Sequence, residues 1–200
     1  KPQRLRGMLP RSLPLRSASP RTPRGTELHT VTMSRKITAL ELLGEIAVAG
    51  DCDGHIKAWN VRTGAEISAV KLPVGITSLR LTGEIAVAGD WDGNVKAWNF
   101  RTGAEEFAAK MPSWITALEL MGCIALAGDR DGNVRAWNFH TGSEIPAMKM
   151  PRINAVEVTE DTAIAGDWDG NVTVWNFNTG FEISPDRPLR GHHMLLRRHR

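Results

Sequence analysis

No apolar run in these 200 residues approaches the roughly 18 that a membrane-crossing helix requires, and there is no secretory apolar stretch, so a soluble protein is expected. Catalytic signatures are missing as well. Gly-x-Ser-x-Gly, His-Glu-x-x-His, a phosphate loop and a dinucleotide fingerprint are all absent, which argues against the enzyme classes built on them and gives no reason to expect a cofactor. Histidines do not gather: His55 and His140 fall at unrelated places and His192-His193 lies in a basic stretch. The two cysteines, Cys52 and Cys123, occupy different positions of the repeat described next, whereas framework disulfides would recur in register. Free thiols and a reducing, cytoplasmic compartment are therefore expected.

What the chain does contain is one stretch written four times. Glu84 to Gly103 returns as Glu45 to Gly64, Cys123 to Gly142 and Thr162 to Gly180, each time around Gly-Asp-x-Asp-Gly and a Trp-Asn pair. The anchors Gly50, Gly89, Gly128 and Gly166 are 39, 39 and 38 residues apart, close to the period of about 40 seen in propeller repeats. Each unit holds four short apolar runs; in the second these are 76–81, 84–89, 94–100 and 105–111. Turn signals separate them, Asp92-Gly93 being the strongest. Alternation puts Val95 and Ala97 on one face and Trp98 on the other, so the sheet is apolar on both sides and must be sandwiched between copies of itself. The expected fold is all-β: a propeller of four-stranded antiparallel blades, as a small closed ring, an arc of a larger one, or half of an assembled one. The units are set at about 37–75, 76–114, 115–152 and 153–184 within a body spanning 33–184.

Charge divides the chain. Residues 1–32 carry +6 and residues 185–200 carry +4, leaving −7 for the body of a chain whose net charge is +3. The Arg- and Pro-rich head (1–32) is expected to be disordered, with a transit segment or a phosphate-touching arm as alternatives that would allow organellar or nuclear placement. Nucleic acid would then be bound, if at all, only through these arms, and the tail (185–200) is expected to be solvated. Within the head, Glu27 to Met33 has strand character and could add an outer strand to the last unit, closing a ring.

The order apolar strand, Gly-x-x-Asp-Gly, Val-Lys-x-Trp-Asn and Thr-Gly resembles the WD-repeat propellers, with Asn where Asp is usual, over about three quarters of the chain. The resemblance implies a non-catalytic protein-binding scaffold, with Asp53, Asp92, Asp131 and Asp169 and the tryptophans Trp59, Trp98, Trp137 and Trp175 as the structural network of each blade. The Gly-His pair of that family is missing, so the network must close differently. The segment Ala-Trp-Asn-x-x-Thr-Gly is also similar to quinone-dependent dehydrogenase propellers, but the docking Trp expected after Thr-Gly is replaced by Ala104-Glu105-Glu106.

Variation is concentrated at one place. The middle residue of Asp-x-Asp-Gly is Cys52, Trp91, Arg130 or Trp168, while its flanks barely change. With Trp114 from a connection on the same face, these five residues are the candidate partner site. Indoles beside carboxylates attract cations, so a basic peptide or protein segment is the expected partner; a glycan-binding propeller is the alternative, and self-association through an unclosed end a further one. The loops themselves do not fit an EF-hand, since a count from Asp51 puts Ile56 at the glycine position and Arg62 at the bidentate glutamate position.

Overall fold

The computed structural model describes residues 29–159, 161–176 and 181–182. The expectations for residues 1–28 and for the tail fall outside them. Among the described residues, sixteen strands form four antiparallel sheets, each a meander of four consecutive strands. The first holds β1 (Ile37–Leu43), β2 (Ile46–Asp51), β3 (His55–Asn60) and β4 (Glu66–Lys71). The second holds β5 (Ile76–Thr82), β6 (Ile85–Asp90), β7 (Asn94–Asn99) and β8 (Glu105–Lys110). Then come β9 (Ile115–Met121), β10 (Ile124–Asp129), β11 (Asn133–Asn138) and β12 (Ser143–Lys149), followed by β13 (Ile153–Val158), β14 (Thr162–Asp167), β15 (Val172–Asn176) and β16 (Phe181–Glu182). The all-β propeller architecture is thus present, blade for blade.

Blade 2 shows why the sheets stack. Val95 and Ala97 lie in a cluster with Leu118, Ala125 and Trp137 of blade 3, whereas Trp98 packs on the opposite side with Val48 and Ile56 of blade 1. Both faces are buried, as the two-sided apolar pattern requires. Close approach depends on Gly89, where a Cβ would lie 2.5 Å from Ile115 Cγ2. Gly50 and Gly128 receive Ile76 and Ile153 in the same way. On the inner strands, Arg80 of β5 bridges Glu41 of β1 at 3.1 Å and Glu119 of β9 at 3.0 Å, fastening three blades together.

The blades do not close. β1 packs on β5, β5 on β9 and β9 on β13, but no comparable contact joins β13 to β1. The small closed ring is therefore replaced by an open arc. Of the closing strand expected from Glu27 to Met33, the described residues 29–33 form no strand on the last unit. Residues 29–36 form no strand; the His29 ring nitrogen Nε2 lies 2.6 Å from the Arg62 carbonyl and Arg35 pairs with Asp53 at 2.9 Å, both in blade 1.

The 38-residue spacing also has a local cause. Pro151-Arg152-Ile153 is one residue shorter than Pro112-Ser113-Trp114-Ile115. Arg152 takes up the difference with φ of 32°, the sole non-glycine positive value among the described residues.

Candidate functional site

Each Asp-x-Asp-Gly loop is built around its first aspartate. Strands β2, β6, β10 and β14 run one residue further than the sequence suggested, so Asp51, Asp90, Asp129 and Asp167 end them and point inward, all buried. Asp90 accepts hydrogen bonds from the backbone N–H groups of Asp92 (2.9 Å) and Asn94 (2.8 Å) and from the Asn94 side chain (2.6 Å). Asp129 is capped by Asn133 and Asp167 by Asn171 in the same manner. In blade 1, His55 replaces the Asn, its Nδ1 lying 3.0 Å from Asp51 Oδ2. This pairing is how the network closes without the Gly-His histidine. The second aspartates, Asp53, Asp92, Asp131 and Asp169, which the resemblance implied as the structural ones, are exposed. Trp98, Trp137 and Trp175 are buried, whereas Trp59, on the open side of blade 1, is only half-buried.

At two of these carboxylates, Asp51 and Asp167, the hydrogen bonds favour the ionised form. At Asp51, burial raises the pKa, but the backbone N–H groups of His55 and Asp53 and the His55 ring outweigh it and hold the carboxyl below its ordinary 3.8. At Asp167 the Asn171 side chain and backbone lead the same downward shift. A depressed folded pKa stabilises the fold above the unfolded value and loses that contribution as pH falls through the folded value. Stability measured by urea unfolding is therefore expected to drop on acidification from about pH 5 to about pH 2. Asp167→Asn should flatten part of that drop.

With the loop fixed from inside, its middle residue projects. The Trp91 and Trp114 rings stack with centroids 6.4 Å apart and planes at 28°. The Arg130 guanidinium stands over Trp114, 4.6 Å from its centroid. Beyond them, Trp114, Thr116, Arg130, Arg152 and Trp168 line a pocket of about 320 Å³. Blades 2, 3 and 4 thus deliver one continuous surface. Trp91, Trp114 and Trp168 are 49%, 50% and 69% exposed.

Four of the five residues expected at the site, Trp91, Trp114, Arg130 and Trp168, are brought together. Cys52 is not joined to them: it sits half-buried in the first loop, its sulfur 3.9 Å from Asp53 Oδ1. Arg152 was missed. The Trp168 N–H donates to the Arg152 carbonyl at 3.1 Å, as the Arg130 N–H does to Trp114 at 2.9 Å, so Arg152 occupies the place Trp114 holds one blade earlier. The shortened spacing was the available signal.

No protein-family model matches the chain, and no curated protein does. Among solved structures, the computationally designed Ika4 protein superposes with a TM-score of 0.74 and 31% identity over 77% of this chain and 99% of that one. The computationally designed Ika8 protein matches with a TM-score of 0.70 and 33% identity over 73% of this chain and 47% of that one. The RRP9 WD40 repeats match with a TM-score of 0.70 and 14% identity over 76% of this chain and 52% of that one. The chain therefore spans nearly all of the first and about half of the other two. At its low identity, the last likeness speaks for the fold alone.

Proposed function

We propose that this open propeller arc is a non-catalytic interaction scaffold of WD-repeat type that grips a protein segment on the face of its Asp-x-Asp-Gly loops. The observation that carries the reading is the row of contacting, half-exposed indoles ending in a pocket with two guanidiniums. Leaving three tryptophans in water forgoes burial worth about 1.5–3 kcal/mol for a large apolar side chain. Trp and Arg are also the residue types that dominate interface energetics.

Charge revises the partner. A basic anchor would meet Arg130 and Arg152 in the pocket, and the Trp114 face is already occupied by Arg130. A carboxylate side chain suits the pocket better, held between the two guanidiniums with an indole on either side. The exposed Asp92, Asp131 and Asp169 then favour basic residues flanking that acidic anchor.

Titrating tryptophan fluorescence with a peptide carrying a central Glu and flanking Lys, against an all-Lys peptide, tests this. The Glu-centred peptide is expected to bind more tightly and to weaken with salt. The paired change R130A/R152A should cost it about tenfold in affinity, a modest loss for two charge-assisted bonds. Equal affinity for both peptides, or no loss in the double variant, would reject the acidic anchor. Binding of a simple sugar with no salt dependence would favour a lectin instead.

A further inference from the structure

We infer that a second copy of this chain docks its first blade onto the last blade of the first copy, and reciprocally, so that two arcs complete one ring. The two unmatched faces of the arc are what the internal interfaces look like when pulled apart. Leu40 on β1 is 62% exposed, whereas its repeat equivalents Leu79 and Leu118, 39 and 78 residues on, are 1% and 2% exposed because a preceding blade covers them. At the other end, Val172 on β15 is 68% exposed, whereas its equivalents Val95 and Val134 are buried by a following blade.

The complementarity extends to single atoms. Gly50, Gly89 and Gly128 each receive the isoleucine that opens the next blade, while at Gly166 the nearest atom to a Cβ, among the described residues, is Asn154 Oδ1 at 3.5 Å. The isoleucine without a glycine is Ile37, which is 46% exposed. In the docked pair, Ile37 of the second copy seats on Gly166.

The occupant is a second copy because the repeat makes each end chemically equivalent to the interior face it lacks. The arc also spans about half of larger propellers, so two arcs suffice. A head-to-tail interface that returns to its start gives a closed dimer rather than a filament. By repeat position Glu157 meets Glu41 of the second copy, a like-charge pair, and Glu41 already holds Arg80 at 3.1 Å.

Light-scattering mass measurement of the full chain at micromolar concentrations tests the inference. The expected mass is twice 22.0 kDa. Leu40→Glu and Val172→Glu, both at exposed positions and so compatible with a folded arc, should each give single copies with unchanged circular dichroism. Mixing the two variants leaves one intact interface and should restore a weaker dimer. A wild-type mass of one copy, a mass that grows beyond two, a dimer indifferent to both substitutions, or a mixture that stays monomeric would each overturn it.

Discussion

Replacing Trp137 with Ala is expected to destabilise the arc by about 4 kcal/mol, the middle of the range for truncating a buried aromatic. Trp137 is 4% exposed in the seam between blades 2 and 3, with its ring 6.1 Å from that of Phe107 and Leu118 and Ala125 in the same cluster. The surrounding strands are tied in their own ladders, so the hole cannot collapse without breaking sheet hydrogen bonds. A loss of this size is a large share of the roughly 5–15 kcal/mol by which domains are stable. The control is Trp59→Ala, at the same repeat position but on the open face of blade 1, with both changes made in the single-copy Leu40→Glu background so that no second molecule covers that face. It should cost about 1–2 kcal/mol, since much of its ring is already in water. Urea unfolding followed by circular dichroism measures both. Equal losses would mean that the blades do not depend on covering one another.

Gly93→Ala is the second change expected to do serious damage, about 3 kcal/mol or more. The backbone there has φ of +86°, a conformation that costs other residues about 1–3 kcal/mol. A Cβ would also strike the carbonyl oxygens of Ser113 and Met111, the latter 2.6 Å away. Relief requires moving the connection between blades 2 and 3, which breaks the Met111 N–H to Gly93 bond of 2.8 Å and carries Trp114 away from Trp91 and Arg130. Gly103→Ala is the comparison: its φ is +76°, but nothing lies within 4 Å of the added methyl. Strain without collision should cost it about 1 kcal/mol. The damage at Gly93 should also blunt peptide-induced fluorescence changes, because the same connection positions the site.

The blades were legible in the sequence because their constraints recur every turn of the repeat: alternation for the strands, Asp-Gly for the tight turn, and a two-sided apolar sheet that demands neighbours. The variable residue of each loop was legible because its surroundings do not vary. Which aspartate is buried was not. Asp90 and Asp92 are the same residue two apart, and only the extension of β6 through Asp90 decides which carboxylate turns inward. The hint lay four residues on, in Asn94, Asn133 and Asn171, whose amides close the cap. Arg152 was hidden by a deletion of one residue that moved an arginine into the place of a tryptophan. Cys52 followed the loop pattern faithfully yet has no neighbouring indole, because the connection position that Trp114 holds beside Trp91 is Gly75 beside Cys52 and Lys36 on its other side.

Arg80 has a consequence for how the modules are threaded. It stands where the other blades carry Glu41, Glu119 and Glu157, and it holds the two glutamates on either side. Near-identical units would otherwise be interchangeable, like beads on a string. Within one arc, exchanging the second module with the fourth would set Glu41 beside a carboxylate instead of a guanidinium. A single reversal of sign thus records the serial order of four almost uniform parts.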